Sequence, residues 1–322
     1  MNRRILFTTF AIACAGLATL GASAQTADWP TKPVKVVVPF SPGGSADTLG
    51  RLISQHLQSV FKQPFIIENK GGAGGIIGST QVAKAAPDGY TLVISGIASH
   101  VIAPVETKSF DPIADFTHIA LLGGPPLVLV VHPSMGVSNV KELVAKVKSD
   151  KDGLSWGSPG NGTHANLIGE LFAKATGIKQ THIGYKGSAP ALADLVGGQI
   201  PAAFMTLTTA NSQIKAGNVK ALAITSEHRL ADFPGVPTFA ELGYPQLNAF
   251  TWFSLSGPAG MPASLVEKIN AEVRRGLKTQ AMQKQLALEN IETRDWDVAT
   301  FNGFVKSEIE RWQPIVRSLE KK

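Results

Sequence analysis

The stretch VKVVVPFSPGGSADTLG, residues 34–50, joins an apolar run to a glycine-rich turn and then to a helical pattern. The β-branched residues at 34–39 are typical of a strand buried on both faces, as in a parallel sheet. A strand that leads through such a turn into a helix leaves several backbone N–H groups unpartnered at one place. With the helix dipole, these groups form a site that attracts an anion.

The same arrangement returns in the second half of the chain. The short run at 154–157 leads into SPGNGTH, residues 158–164, and a helical pattern follows at about 163–175. The glycines in each turn permit positive φ or close approach by another group. Two such turns, one in each half of the chain, suggest an anion held between two lobes.

Strand and helix patterns alternate along the chain, which favours an α/β fold with parallel sheets. Strands are also expected at 65–68, 90–95, 118–122, 127–131, 202–205 and 219–225. Helices are expected at 47–61, 76–85, 139–148, 189–196, 262–277, 280–289 and 297–319. The helix at 139–148 is expected to have Ser138 as its N-cap.

The order of these patterns predicts two lobes with a hinge and a ligand cleft between them. The second lobe is expected to span residues 126–224. The first lobe is expected to be discontinuous, with residues 25–125 completed by residues 225–322. A chain that crosses twice between two lobes is typical of binding proteins that close on their ligand by a hinge motion.

Residues 1–24 have the features of a cleavable signal peptide. Arg3 and Arg4 form a positive n-region, residues 5–20 are apolar, and Ala22-Ser23-Ala24 is a small-residue cleavage site. An N-terminal membrane anchor is the alternative, but the apolar run is short for a membrane span. The sequence therefore predicts a periplasmic protein that is cleaved after Ala24.

The composition narrows the possible function classes. The only cysteine, Cys14, lies in the signal segment, so the rest of the chain has neither a disulfide nor a thiolate metal site. The seven histidines lack metal-ligand spacing. The formal charge of +6 falls to +4 without Arg3 and Arg4, and the basic residues look scattered along the sequence. This favours mild attraction of anions and no nucleic-acid partner.

Motifs typical of enzymes are missing from the sequence. It contains no G-x-G-x-x-G, no G-x-x-x-x-G-K-[ST] and no H-E-x-x-H, and its one G-x-S-x-G pattern, GLSWG at 153–157, has its serine inside the expected strand and not at a strand-to-helix turn. The S-x-x-K pattern occurs at Ser138/Lys141 and Ser212/Lys215, but so short a pattern also arises by chance. We therefore expect no enzyme, no cofactor and no metal.

Several residues near the glycine-rich turns have two possible roles. Asp47 either braces its turn beside Arg51 or meets an ammonium on the ligand. His100 and His164 either contact the ligand or are ordinary polar residues of the loops. A third glycine-rich loop, residues 71–75, is either part of the site or a simple tight turn.

Tyr185 and Lys186 form a further candidate pair. They either offer a phenol and a cation to an anionic ligand, or the lysine is simply solvated.

Several motifs, in order along the chain, carry a family resemblance, among them PFSPGG (39–44), ENKGGAGG (68–75), APDGYTL (86–92), GSPGNGTH (157–164), YKG (185–187), LAITS (222–226) and VPT (236–238). With them the chain resembles the tripartite tricarboxylate transporter substrate-binding proteins, also called Bug receptors. The likeness covers essentially all residues after the signal segment.

This resemblance implies an α/β, two-lobed fold of the type II periplasmic binding-protein kind. It implies a monomer that captures a small carboxylate, an organic acid or an acidic amino acid, by lobe closure. The receptor would deliver this ligand to a transporter made of a large and a small integral-membrane subunit. The alternatives are a sensory receptor that presents the ligand to a membrane kinase, and a secreted α/β hydrolase.

The two turns and the resemblance together give the expected ligand-binding residues. They are Phe40, Ser41, Pro42, Gly43, Gly44, Ser45, Asp47, Gly72, Ala73, Ser99, His100, Ser158, Gly160, Asn161, Gly162, Thr163, His164 and Tyr185. Many relatives carry a small or aliphatic residue where Asn161 stands. We therefore expect Asn161 to alter the surroundings of the ligand.

Overall fold

The structure, a computed structural model, describes residues 29–320. The predicted signal peptide and its cleavage point lie outside the described residues. Within 29–320 the strands form two sheets of five strands each. We call the parts of the chain built around these sheets the first and the second lobe.

The first sheet has the strand order β2-β1-β3-β10-β4. In chain order its strands are β1 (Val34–Val38), β2 (Phe65–Asn69), β3 (Thr91–Gly96), β4 (Phe116–Gly123) and β10 (Phe253–Pro258). The strand β1 pairs in parallel with β2 and β3, whereas β10 runs antiparallel to β3 and β4.

The second sheet has the strand order β7-β6-β8-β5-β9. Its strands are β5 (Leu127–Val131), β6 (Leu154–Ser158), β7 (Gln180–Gly184), β8 (Ala202–Thr206) and β9 (Lys220–Ile224). The strand β6 pairs in parallel with β7 and β8, whereas β5 runs antiparallel to β8 and β9.

The expectation of parallel sheets holds only in part, since each sheet also contains one antiparallel strand. The reason lies where the chain passes between the sheets. A parallel pair needs a long crossover connection, usually a helix. The antiparallel strands β5 and β10 are the two that the chain enters directly from the other lobe, without a helix that connects them to an earlier strand of their own sheet.

Ten helices of the described residues surround the sheets. They are α1 (Ser45–Phe61), α2 (Ile76–Ala83), α3 (Ala103–Thr107), α4 (Val140–Ser149), α5 (His164–Thr176), α6 (Ser188–Val196), α7 (Leu207–Lys215), α8 (Ala263–Leu277), α9 (Gln280–Leu288) and α10 (Val298–Glu320). A π-helical turn, Ala98–Ile102, precedes α3. Within the described part of the chain, no helix is both long and apolar enough to cross a membrane.

The start of α4 differs from the expectation. Asn139, and not Ser138, is the N-cap, because its side-chain oxygen accepts a hydrogen bond of 2.9 Å from the backbone N–H of Glu142. Ser138 contributes its backbone N–H, which donates to the Glu142 carboxylate at 2.6 Å. These two contacts together resemble a capping box shifted by one residue.

The hydrophobic core is not divided cleanly between the lobes. The largest cluster of buried apolar side chains includes Trp156 and Phe204 of the second sheet. The same cluster includes Ile97, at the end of the first sheet, and Phe301 and Trp312 of α10. The last helix therefore contributes to a core that reaches into both lobes.

The segments that cross between the lobes pack backbone against backbone. A Cβ atom on Gly124 would lie only 1.6 Å from the carbonyl oxygen of Thr251 in the returning segment. No other residue has room at this position. Gly124 also exchanges two backbone hydrogen bonds with Glu292, of 2.9 and 3.1 Å.

Candidate ligand-binding site

A small cavity lies between the lobes, where the carboxyl ends of several strands meet. Its volume is about 50 Å³. We call it the inner cavity. Its walls are formed by Phe40, Gly44, Ser45, Ala46, Gly96, Ile97, Ala98, Ser99, Leu127, Pro159, Thr163, His164, Ala165, Ser188, Thr206, Thr251 and Phe253.

Four helices begin in the wall of the inner cavity. These are α1 at Ser45, α5 at His164, α6 at Ser188 and α7 directly after Thr206. The first backbone N–H groups of a helix have no acceptor inside that helix. Each helix also presents the positive end of its dipole there.

The inner cavity is lined by uncharged side chains. Among the described residues that line the inner cavity, none is Asp, Glu, Lys or Arg. The electrostatic character of the cavity is therefore set by oriented backbone dipoles. Such a site is suited to an anionic group of a few atoms that accepts several hydrogen bonds.

The first turn, residues 41–47, is held in shape by the Asp47 side chain, which is only 6% exposed. One carboxylate oxygen accepts from the Gly43 backbone N–H at 3.0 Å and from Arg51 Nε at 2.9 Å, while the other accepts from Asn69 Nδ2 at 2.9 Å. Burial by itself raises the pKa of Asp47, but these hydrogen bonds outweigh it and leave the pKa below its usual value. Asp47 therefore braces the turn with both of its oxygens.

The second turn, residues 158–164, is held by uncharged groups. The Thr163 hydroxyl donates to the Gly160 carbonyl at 2.7 Å and accepts from the Asn166 backbone N–H, which caps α5. The Gly162 backbone N–H donates to Asn166 Oδ1 at 3.2 Å. Ser158 Oγ lies 2.7 Å from His182 Nε2, and burial lowers the pKa of His182 to about 4, so this ring is neutral near pH 7.

His164 connects the second turn to the returning interlobe segment. Its Nδ1 lies 2.8 Å from the Thr251 hydroxyl, and its ring packs edge-on against Trp312 at 5.1 Å between centroids. Burial lowers the pKa of His164 to about 3, with a smaller contribution from Arg311. Its Nε2 is buried without a partner among the described residues. His164 therefore places a neutral imidazole where the cavity, the crossing segment and α10 meet.

Direct contacts join the lobes around the inner cavity. The Ser41 backbone N–H and hydroxyl both donate to the Lys186 carbonyl, at 3.2 and 2.6 Å. Inside the cleft, the Ser45 hydroxyl donates to Thr206 Oγ1 at 2.7 Å. The structure therefore has its two lobes closed on each other.

A second, larger cavity lies beside the first and shares Phe40 and Pro159 with it. Its volume is about 450 Å³. We call it the outer cavity. Its remaining lining residues are Gly72, Ala73, Gly74, Gly75, Ile77, Gly160, Asn161, His182, Gly184, Tyr185 and Lys186.

Tyr185 and Lys186 differ in how they are held at the outer cavity. The Tyr185 hydroxyl donates to Asp194 at 2.7 Å, and burial followed by this carboxylate raises the pKa of Tyr185 to about 12. Lys186 is exposed and is in no ion pair with the residues described. It is the one lysine or arginine among the residues that line the two cavities.

The structure brings together many of the residues expected from the sequence. Those that line the inner cavity are Phe40, Gly44, Ser45, Ser99, Thr163 and His164. Those that line the outer cavity are Phe40, Gly72, Ala73, Gly160, Asn161 and Tyr185. The others, which line neither cavity, are Ser41, Pro42, Gly43, Asp47, His100, Ser158 and Gly162.

His100 lies behind the cavity wall. Its Nδ1 is 2.9 Å from the hydroxyl of Ser99, and its ring packs against Phe116 at 4.3 Å between centroids. Burial, followed by the neighbouring His118, lowers the pKa of His100 well below its usual value. Across residues 29–320 no group of three or more His, Cys, Asp and Glu side chains is placed to hold a metal ion.

Eleven residues of the inner-cavity wall are absent from the expected set, among them Ser188, Thr206, Thr251 and Phe253. Ser188 follows the YKG motif and begins a helix, so the signal used for the two turns was present there as well. Thr206 begins α7, a helix that the sequence pattern did not indicate. Thr251 and Phe253 reach the cavity only because the returning segment lies against the first crossing.

This chain is similar in sequence and in fold to known proteins. The family model described as tripartite tricarboxylate transporter family receptor matches residues 49–320. Protein BugT of Bordetella pertussis is 34% identical over 320 residues, which cover 98% of this chain and 97% of that protein.

Two solved structures are similar in fold and sequence. R. palustris Rpa4515 with adipate has a TM-score of 0.87 and 32% identity, covering 91% of this chain and 98% of that chain. MatC from Rhodopseudomonas palustris with bound malate has a TM-score of 0.85 and 32% identity, covering 89% and 100%.

These matches confirm the resemblance carried by the sequence motifs, the two-lobed α/β fold and the expectation of a receptor in place of an enzyme. The chain belongs to the tripartite tricarboxylate transporter receptor family, the Bug receptors, which are periplasmic solute-binding proteins.

Proposed function

We propose that this receptor captures a small carboxylate, an organic acid or an acidic amino acid, in the cleft between its lobes. One observation carries the proposal: four helices begin in the wall of a cavity that has no charged side chain among its described lining residues. Oriented amides there replace the water shell of a carboxylate without an ion pair.

The two cavities divide the ligand between them. A volume of about 50 Å³ suits one carboxylate group, since a single water needs roughly 10–15 Å³ measured in this way. The rest of the ligand extends past Phe40 and Pro159 into the outer cavity of about 450 Å³. There Asn161 and Lys186 are the exposed polar side chains, whereas His182 and Tyr185 are partly buried.

Lobe closure completes the site. In the closed arrangement, Ser41 hydrogen-bonds to the Lys186 carbonyl and Ser45 to Thr206. Each contact joins one lobe to the other, so opening the cleft breaks them. A carboxylate that binds donors from both lobes favours the closed state by its differential affinity. Asp47 stays a brace of the first turn, because its oxygens are already occupied.

Delivery follows from the family. We propose that the loaded monomer docks on a transporter with a large and a small integral-membrane subunit, after removal of residues 1–24. The proposed lobes are residues 25–125 with 225–322, and residues 126–224. The strands support this division, because those of the second sheet all lie between Leu127 and Ile224.

Isothermal titration calorimetry tests the proposal. The purified protein is titrated with mono-, di- and tricarboxylates, with acidic and neutral amino acids, and with the amides of the acids that bind. We expect at least one carboxylate to bind with a Kd in the micromolar range or below, and its amide to bind at least 100-fold more weakly. Failure of every carboxylate to bind at millimolar concentration contradicts the proposal.

A blocking variant locates the site. Ala46 is 3% exposed in the wall of the inner cavity at the first turn of α1. Ala46→Asp places a carboxylate among the helix N–H donors and is expected to abolish binding, while the helix start tolerates the charge. Ala145→Asp, on the exposed side of α4, adds the same charge outside the cleft and is expected to leave binding unchanged.

A further inference from the structure

The positive charge of this protein is distributed unevenly. Residues 25–125 and 225–322 together contain nineteen Lys and Arg and nineteen Asp and Glu. Residues 126–224 contain nine lysines and five acidic residues. The excess of four positive charges therefore lies entirely in the segment that contains the second sheet.

Most of these lysines are at one end of the second lobe. The strands β6 and β7 run from this end towards the cleft, so it lies opposite the ligand site. Helices α4 and α5 also finish here. We call the following set the lysine pole; all of its members are exposed: Lys146, Lys148, Lys151, Lys174, Lys179 and Lys220.

Contacts hold several of these lysines close together. Lys179 Nζ donates to the Lys151 carbonyl at 2.9 Å, which joins the start of β7 to the loop before β6. The Lys148 ammonium lies 4.0 Å from the position that a Cβ on Gly177 would occupy, so the ends of α4 and α5 are adjacent. The charges therefore share one surface.

Three of the six ammonium groups, those of Lys146, Lys179 and Lys220, donate hydrogen bonds to neutral acceptors. Lys146 donates to the Met135 carbonyl at 2.7 Å, and Lys220 donates to the Ser138 hydroxyl at 3.0 Å. None of the six lysines takes part in an ion pair with the residues described. Their charges are therefore not neutralised within an ion pair.

Acidic neighbours reduce this charge only in part. Asp150 and Asp152 lie in the loop between α4 and β6, and the Glu142 carboxylate is used by Ser138 and Asn139. Glu170, one helical turn before Lys174 in α5, is a fourth acidic neighbour. Six cations against four anions still leave a positive surface. The helix dipole favours lysines at the C-terminal ends of helices. This does not explain the lysines of the pole that lie outside helices.

The lysines outside helices are Lys151, Lys179 and Lys220. The surface also lacks the anchors of a protein interface, which are typically Trp, Tyr and Arg. Of the exposed large apolar side chains among the described residues, Ile183 is the one in the second lobe, and it lies towards the cleft end of β7.

We propose that the lysine pole binds the anionic phosphate headgroups of a lipid bilayer. Flexible point charges on a surface without apolar anchors match a diffuse layer of lipid phosphates better than a folded protein partner. Binding through this end leaves the cleft, at the other end of the lobe, open to the solution. The receptor then searches for its transporter along the membrane while it can still capture ligand.

Vesicle co-sedimentation tests the proposal with phosphatidylglycerol–phosphatidylcholine vesicles and pure phosphatidylcholine vesicles. The variant Lys148→Gln, Lys151→Gln, Lys174→Gln, Lys179→Gln removes four charges from the pole. The matched control removes four exposed, unpaired lysines elsewhere: Lys62→Gln, Lys84→Gln, Lys108→Gln, Lys284→Gln. Both variants carry the same net charge.

We expect the wild type and the control to bind the anionic vesicles at about 20 mM salt and to be released at about 300 mM salt. The pole variant is expected to bind at least tenfold more weakly. Absence of wild-type binding to anionic vesicles, equal loss in both variants, or equal binding to neutral vesicles overturns the proposal. Circular dichroism shows that each variant is folded.

Discussion

The two turns that face each other across the cleft present free N–H groups in the same way, but different forces hold them. The first turn depends on a buried charge, since both oxygens of Asp47 are used to fix it. The second depends on hydroxyls, an amide and a neutral imidazole, through Thr163, Asn166, Ser158 and His182. The shape of an anion site and the interactions that stabilise that shape are therefore separate properties.

Gly160 offers the largest test of the second turn. Its φ is +140°, and a Cβ atom would lie 2.6 Å from the Tyr185 carbonyl oxygen. We expect Gly160→Ala to distort the turn at a cost of about 1–3 kcal/mol and to weaken carboxylate binding about 10- to 100-fold in calorimetry.

Gly43 in the first turn is the matched control for that change. Its φ is +84°, but a Cβ atom there meets only Ala189 at an ordinary 3.6 Å. Gly43→Ala is therefore expected to have the smaller effect on affinity. An equal or larger loss in Gly43→Ala contradicts the view that the second turn depends more on its backbone shape.

Asp47→Asn tests the role of charge in the first turn. The substitution keeps the size of the side chain but removes the charge that receives three hydrogen bonds. We expect a loss of about 1.5–3 kcal/mol in the free energy of unfolding, measured by urea titration. Arg51 is 56% exposed, so Arg51→Gln is expected to cost less than about 1 kcal/mol. Similar losses of stability in the two variants would show that Asp47 stabilises the protein through its ion pair with Arg51 and not through its hydrogen bonds to Gly43 and Asn69.

Removal of the N-cap of α5 is expected to lower the free energy of unfolding by a smaller amount. Thr163→Val removes the hydroxyl that bonds to Gly160 and Asn166 while keeping the shape of the side chain. We expect a loss of about 1 kcal/mol in the free energy of unfolding. Thr163→Ser restores the hydroxyl and is expected to recover most of this loss, whereas an unstable serine variant speaks against a capping role.

The two turns are also expected to respond to acid in different pH ranges. The unfolded chain protonates a histidine near pH 6.5, but burial lowers the pKa of His182 to about 4. The contribution of His182 to stability is therefore lost as the pH falls from about 6.5 to about 4. The pKa of Asp47 lies below its usual 3.8, so the contribution of Asp47 is lost only below that pH.

Urea titrations across pH 3–7 measure this separation. His182→Gln is expected to reduce the pH dependence of stability between about pH 4 and 6.5 relative to the wild type, while the buried His100 and His164 retain part of it. Asp47→Asn is expected to reduce the pH dependence below about pH 4. If His182→Gln instead changes the pH dependence of stability below pH 4, or Asp47→Asn changes it above pH 4, the assignment of that residue to its pH range is wrong.

How far the sequence predicts the fold and the site depends on how local the signal is. The two turns and Ser45, Thr163 and His164 were predictable, because strand, glycine-rich turn and helix are neighbours in the chain. Asp47 had two possible roles in the sequence, and only the distances to Gly43 and Asn69 separate them.

Other features depend on partners far away in the sequence. The strand β10 reads FSLSGP, whose serines look unsuited to a buried strand. They are satisfied there because Ser95 lies 2.7 Å from Ser254 and 2.6 Å from Ser256. The helix α7, LTTANSQIK, is rich in weak helix formers and is recognised only from its packing. Thr206 was missed because it caps this helix. Thr251 was missed because it reaches the cavity only through the packing of the returning segment.

The core shared through α10 has a consequence for how the receptor denatures. Phe301 and Trp312 belong to a cluster of apolar side chains that also contains Ile97 of the first lobe and Trp156 of the second. Neither lobe can lose its packing without exposing surface that the other needs. The protein is therefore expected to unfold in one cooperative thermal transition, although its two lobes move as separate bodies when the cleft closes. Calorimetry and circular dichroism are expected to give the same transition temperature.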